Sequence, residues 1–232
     1  MGSIGINLQE VKRRIAQACG AAGRSAEEVT LLAVSKTFDA EAVRAAHVAG
    51  QHQFGENYVQ EALAKIEALA DLRHQLQWHM IGPLQSNKTR AVAEAFDWVH
   101  TVDRLKIAER LSAQRPSSLP PLNVCLQVNI SGEASKSGLL PVELPAVAQA
   151  VARLPGLRLR GLMSIPAPAD DPAAQCAPHR ALRLLRDALQ RDGLPMDTLS
   201  MGMSADLEAA VQEGATLVRV GSAVFGGRAP VV

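Results

Sequence analysis

Short apolar runs alternate with amphipathic stretches along the whole chain, and no other feature constrains the fold as tightly. The runs are "LLAVSK" (31–36), "HQFGEN" (52–57), "LQWHMIG" (76–82) and "DWVHTV" (97–102). They continue with "NVCLQVNI" (123–130), "LRLRGLMSI" (157–165), "DTLSMGM" (197–203) and "TLVRVGSAVFG" (216–226). Between them, segments such as "NYVQEALAKIEALAD", "DRLKIAERLSAQ" and "HRALRLLRDALQRDG" carry apolar residues three and four apart, the helix period. "DAEAVRAAHVAG" opens on Asp39, a good N-cap, and closes on Gly50, a good C-cap. "SADLEAAVQEGA" opens on Ser204 in the same way. Alternating strands and helices with uninterrupted apolar strands imply a parallel sheet. Eight repeats in 232 residues predict an α/β fold: a single (β/α)8 TIM-type barrel, one domain over 1–232, with an extra N-terminal helix in "NLQEVKRRIAQACGAAG". A doubly wound open sheet is the alternative, but no GxGxxG follows the first strand. "RPSSLPPL" (115–122) and "PAPADDPAAQCAP" (166–178) read as surface loops, the second on the rim of the barrel.

Composition narrows the function classes. The chain is 47% hydrophobic, enough for one sizeable core. Lys plus Arg is 24 against 23 for Asp plus Glu, and no basic block occurs, so no nucleic-acid partner is expected. No apolar run reaches bilayer length and the N-terminal residues lack a signal-peptide pattern, so no membrane partner is expected either. Cys19, Cys125 and Cys176 are widely spaced, which suggests reduced thiols and a cytoplasmic location rather than a disulfide frame. The histidines show no metal-ligand spacing. Nothing suggests an obligate interface, so a monomer is expected.

Barrel chemistry sits at the C-terminal ends of the strands. Read there, the chain offers Lys36, Asn57, His79 with Gly82, Met163 with Ser164, Met203 with Ser204, and Gly221 with Ser222. Each has a plainer role open to it. Asn57 and Ser204 are placed to cap helices, His79 to be a hydrogen-bonded core residue, and the methionines to pack. The last two strands carry the sharper signal. A Gly-Met-Ser turn opens a helix after strand seven, where unpaired N–H groups attract an anion. Gly221 allows close backbone approach and Ser222 brings a hydroxyl after strand eight. Loops after strands seven and eight form the common phosphate site of barrel enzymes. Strand one closes on strand eight, so a phosphorylated aldehyde seated there would meet Lys36, and partial burial would raise that lysine's supply of free amine. A phosphate-sugar aldolase or isomerase would use the same parts. Lys136, after strand five, lies on the same rim, either as a solvated loop lysine or as an attractor of phosphate.

Seven segments together narrow this choice: "AVSKT" (33–37), "FGENYVQEA" (54–62), "WHMIGPLQSNK" (78–88), "VNISGEASKSG" (128–138), "GLMSI" (161–165), "SMGMSADLEAA" (200–210) and "VRVGSAVFGGR" (218–228). In this order and spacing the chain resembles the YggS/PROSC family of pyridoxal 5'-phosphate (PLP) homeostasis proteins, over nearly its whole length. The resemblance implies a barrel like the N-terminal domain of alanine racemase, with PLP held as an imine on Lys36. It implies phosphate contacts at Ser204, Gly221 and Ser222, a cofactor contact at Asn57, and Arg219 near the pyridine nitrogen. A charged guanidinium there disfavours ring protonation and makes the ring a weaker electron sink. Racemases of this fold add a second domain that supplies another acid/base group, and the chain stops at Val232 without one. His79 and Tyr58 are the remaining donor candidates. The expectation is therefore a carrier that buffers PLP and delivers it to PLP-dependent apo-enzymes, not an enzyme; the alternative is a small racemase-like PLP enzyme.

Overall fold

The computed structural model describes residues 3–133 and 136–227; Ala134, Ser135 and Arg228 of the resembling segments lie outside them. A first helix, α1 (Ile4–Ala21), is capped by the Ser3 hydroxyl, which accepts from the Ile6 N–H. Eight strands follow: β1 (Thr30–Val34), β2 (Gln53–Glu56), β3 (Gln77–Met80), β4 (Trp98–Val102), β5 (Leu122–Gln127), β6 (Leu157–Met163), β7 (Thr198–Ser200) and β8 (Leu217–Val220). Helices separate them: α2 (Ala40–Val48), α3 (Val59–Ala68), α4 (Thr89–Ala95), α5 (Leu105–Gln114), α6 (Leu144–Ala152), α7 (Pro172–Arg191) and α8 (Leu207–Gln212). A single turn of helix, α9 (Ser222–Phe225), follows β8. The strands close in chain order, all parallel, with β8 joining β1 through pairs running from Thr30↔Leu217 to Ala33↔Val220. This is the expected (β/α)8 barrel with its N-terminal helix. Asp39 caps α2 as read, its carboxylate accepting from the Ala42 N–H at 2.9 Å, and Gly50 follows the helix at φ 89°.

The strands alternate sides, and the two sides differ in chemistry. Outward-facing Leu31, Ala33, Val99, Val218 and Val220 join the apolar stripes of the helices in one continuous layer. Burying each large side chain there is worth about 1.5–3 kcal/mol. Inside the barrel, Leu32, Val34, Ile81 and Leu217 form a small apolar cluster, and Trp98, Cys125 and Met163 another. Polar residues occupy further interior positions, among them His79, His100, Ser200 and Arg219. Burial holds the Cys125 thiol protonated, its pKa pushed up to about 12.

Three local expectations need correction. The stretch 166–178 is a loop only as far as Asp171; residues from Pro172 onward form the first turns of α7. Proline is well placed at a first helical position, where its missing N–H has no partner to lose, and the Asp171 carboxylate caps the helix through the Ala174 N–H at 2.8 Å. Proline density had disguised a helix start as a loop. The run 216–226 is a strand only to Val220 and then turns into α9 at Gly221. Neither proposed side-chain cap forms: α8 starts after Asp206, not Ser204, and α3 starts after Tyr58, not Asn57.

Candidate functional site

At the C-terminal mouth of the barrel a cavity of about 360 Å³ gathers Lys36, Asn57, Ser204, Arg219, Gly221 and Ser222. These are the six residues expected from the sequence and the family resemblance to contact the cofactor, and closure of β8 on β1 is what brings them together from opposite ends of the chain. Val34, Phe38, Ile81, Ile165 and Met203 complete the wall. The cavity therefore has apolar sides, a cationic group, and an end built of glycine and serine. Phe38 is braced by stacking on Phe225 at 5.0 Å between ring centroids.

Lys36 is half-buried in the turn that follows β1. The Phe38 N–H donates to the Ser35 carbonyl at 3.1 Å and closes the turn. Thr37, its third residue, has φ 68°, the one positive φ among the described non-glycine residues. A type II turn normally reserves that position for glycine.

The Asn57 side-chain oxygen is buried without a hydrogen-bond partner among the described residues. It is freed from capping duty and faces a cavity, which suits a ligand contact. Gly82 explains the placement: a Cβ there would lie 2.2 Å from the Asn57 carbonyl, so only glycine lets the two segments pass. At the opposite wall Gly221 packs on β1, where a Cβ would sit 3.2 Å from the Val34 carbonyl. The first turn of α9 leaves the N–H groups of Ser222 and Ala223 without intrahelical acceptors. Ser204 lies in the turn between β7 and α8; its carbonyl accepts from the Arg14 guanidinium at 2.8 Å. Asp206 organises that turn, its carboxylate accepting from the Met203 N–H at 2.7 Å and meeting His179 Nε2 at 2.9 Å.

Arg219 is 4% exposed and donates to the Ser200 carbonyl at 2.7 Å, the Ser200 hydroxyl at 2.7 Å and the Ser164 carbonyl at 2.9 Å. All three acceptors are neutral. Burial lowers its pKa to about 10, which leaves it charged at neutral pH. Beneath it the interior polar column continues: Ser200 Oγ contacts His100 Nδ1 at 2.8 Å, and His100 Nε2 contacts His79 Nδ1 at 2.9 Å. His79 is wholly buried and stacks on Trp98 at 5.3 Å. Burial lowers its pKa to about 3, so the ring is neutral. It is a core histidine and does not line the mouth cavity. Tyr58 is 57% exposed and does not line it either.

Lys136 borders a second cavity of about 170 Å³ that shares Ile81 and Ile165 with the first. Its ammonium lies 2.9 Å from Glu133. The apolar wall was not foreseen. Ile81 and Ile165 follow the β3 and β6 ends, positions that strand-end reading reaches but that polar-residue searching passes over. Met203 was assigned to packing and instead borders the cavity. Among the described residues no group of three His, Cys, Asp or Glu is arranged to hold a metal ion, and no helix is long and apolar enough to cross a membrane.

Comparison with known proteins places this geometry in a family. The family model described as "Alanine racemase, N-terminal domain" matches residues 6–229. The pyridoxal phosphate homeostasis protein of Pseudomonas aeruginosa is 63% identical over 228 residues, covering 98% of this chain and 97% of that protein. The protein of the same name from Escherichia coli K12 is 55% identical over 229 residues, 98% of each. Among solved structures, PipY of Synechococcus elongatus PCC7942 with PLP bound matches with a TM-score of 0.80 at 40% identity, covering 91% of this chain and all of that one. The chain belongs to the family of pyridoxal phosphate homeostasis proteins, built on the alanine racemase N-terminal domain.

Proposed function

We propose that this protein is a single PLP-binding barrel domain that holds the cofactor covalently on Lys36 and delivers it in the cytoplasm to PLP-dependent apo-enzymes, without turnover of its own. The observation that carries the reading is the convergence of one lysine, one buried arginine and a glycine–serine end on a single cavity. The PLP-bound PipY structure supports it from a relative. The residues fit the group. The orphaned Asn57 oxygen offers a buried polar contact, the apolar walls suit a flat ring, and Ser204, Gly221 and Ser222 offer hydroxyl and N–H donors to a phosphate.

The group supplies, when bound, an aldehyde on an electron-poor ring. Everything else belongs to the chain. Lys36 brings the amine that an aldehyde requires. Arg219 keeps its positive charge on the cavity wall and so opposes protonation of a neighbouring ring nitrogen. Ile81, Ile165 and Met203 give the cavity apolar sides. Stereospecific proton transfer needs a fixed second donor at the reacting atom, and neither His79 nor Tyr58 borders the cavity. That favours carriage and release over catalysis.

The test has two arms. Protein incubated with PLP is reduced with borohydride, digested and analysed by mass spectrometry; the label is expected on Lys36, and label chiefly on Lys88 or Lys136 would sink the anchor assignment. Loaded protein is then mixed with a PLP-dependent apo-enzyme beside a chiral amino-acid assay. Activation of the apo-enzyme is expected, lost in Lys36→Ala. Saturable racemase turnover above that of free PLP, also lost in Lys36→Ala, would make the protein an enzyme instead.

A further inference from the structure

Behind the Lys36 turn lies a buried charge cluster that the proposed function does not use. Lys65, on α3, is 5% exposed, and its ammonium donates to the Ser35 carbonyl at 2.7 Å, Glu56 Oε1 at 2.8 Å and Glu61 Oε1 at 2.6 Å. Glu56, at the end of β2, is wholly buried and also accepts from the Ser35 hydroxyl at 2.6 Å. Glu61 accepts from the Thr37 N–H at 2.6 Å. The two residues that flank Lys36 are therefore gripped from the same side, Ser35 by Lys65 and Glu56, Thr37 by Glu61.

The contacts select one shape of the turn. The Ser35 carbonyl already accepts from the Phe38 N–H, and the Lys65 ammonium takes a second position on that oxygen. The Thr37 N–H points out of the turn toward Glu61, which is the peptide orientation that accompanies φ 68° at Thr37. A β-branched residue holds such a φ only where its surroundings over-determine it. Stability alone is a weak reason for the cluster, because desolvation of buried charges offsets most of their attraction, and an apolar replacement often folds as well. Burial raises the Glu56 pKa against the pull of Lys65, so the cluster strains its own ionisation.

We infer that Lys65 is a positioning residue: with Glu61 and Glu56 it locks the Ser35–Phe38 turn so that the Lys36 amine is presented to the mouth cavity. The inference rests on the reading of Lys36 as the covalent anchor. Lys65 touches no ligand and acts only through the backbone on either side of Lys36.

The experiment separates attachment from binding. Lys65→Met, Glu61→Ala, Glu61→Gln and the parent are titrated with PLP and with pyridoxine 5'-phosphate, which has the same ring and phosphate but an alcohol in place of the aldehyde. The rate of borohydride-trappable attachment at Lys36 is measured in parallel. Lys65→Met and Glu61→Ala are expected to slow attachment about tenfold or more, the scale on which small misplacement of a reacting group acts. Their affinity for pyridoxine 5'-phosphate should equal the parent's. Glu61→Gln should restore most of the rate, since its amide oxygen can still accept from the Thr37 N–H. Equal attachment rates in parent, Lys65→Met and Glu61→Ala would overturn the inference, and so would parallel loss of both ligands, which marks a merely structural role. If Lys65→Met does not fold, the two Glu61 variants decide. A parent that attaches PLP elsewhere than Lys36 fails the anchor reading instead, and the digest reports that separately.

Discussion

Ser204 shows how much a single side chain's job depends on the turn around it. Its position before an apolar-periodic segment reads as an N-cap, yet Asp206 holds that place and uses its carboxylate on the Met203 N–H and on His179. The two residues should therefore separate function from stability. Ser204→Ala is expected to weaken PLP retention by about 1.5–3 kcal/mol, the size of one hydrogen bond to a charged group, and to leave the thermal midpoint unchanged. Asp206→Ala should lower the midpoint by roughly 2–8 °C through about 1–2 kcal/mol of lost hydrogen bonding. Calorimetry and a PLP dissociation assay check both; a fall in midpoint for Ser204→Ala would return the cap role to Ser204. Lys36, Asn57, Ser204, Gly221 and Ser222 were legible because strand-end position follows from the alternation, whereas Arg219 entered only through the family resemblance. Lys65 was not legible. In the sequence it is an ordinary partner of Glu61 four residues earlier, and only the structure shows it on the buried face of α3 with Val59 and Ala62.

At the scale of elements, the N-terminal helix is the least expected contributor. Its pattern predicted a helix and nothing about use. In the fold α1 packs against α2, α8 and α9, and Arg14 reaches across it. That guanidinium makes a two-pronged pair with Glu208 at 2.5 Å each and donates its remaining arm to the Ser204 carbonyl. The hydrogen-bonded pair holds the Glu208 carboxyl below its usual range. The Ser204 side of the cavity is thus tied to a helix nearly two hundred residues away in sequence, a contact that no local pattern encodes. Arg14→Met should speed PLP dissociation about fivefold, near 1 kcal/mol for one lost hydrogen bond. The thermal midpoint should barely move, because an exposed ion pair contributes little. Dissociation kinetics of loaded protein are the measurement, with Lys36 labelling as the control that attachment persists. Release at the parent's rate would show that the Ser204 turn holds itself. The start of α7 was hidden for a different reason: Pro172 and Asp171 look like loop residues until the helix beyond them is seen to need a first turn and a cap.

For the whole molecule the decisive feature is that the barrel interior is not uniformly apolar. A column of polar contacts runs from His79 through His100 and Ser200 to Arg219 at the mouth. The sequence placed His79 on β3, but its contact with His100 depends on the register, which sets His79 opposite Trp98 and leaves His100 two residues further along β4 within reach of its ring. The column ties acid stability to the mouth cavity, which Arg219 lines. Burial lowers the His79 pKa from the usual 6.5 to about 3, and lowers that of His100 well below 6.5 through burial first and then its charged and titratable neighbours His79 and Arg219. Above pH 6.5 both rings are neutral in either state and folding gains or loses nothing from them. As pH falls below 6.5 the unfolded chain takes up protons that the folded barrel refuses, so stability declines, by at most about 1.4 kcal/mol per pH unit for each ring. Glu56 acts in the opposite direction: its raised pKa lets the folded state take a proton before the unfolded one, which offsets part of the loss nearer pH 4.5. The urea midpoint should thus be flat from pH 8 to 7 and fall between pH 6.5 and 5, while the folded contacts from His100 through Ser200 to Arg219 stay intact. A His79→Leu/His100→Leu double variant should lose most of that slope whatever its absolute stability. Ring resonances in the parent supply the independent check: the His79 and His100 signals should stay at their neutral positions down to pH 5. Titration of the interior pair near pH 6.5 would mean that water reaches the column and that the barrel floor is open.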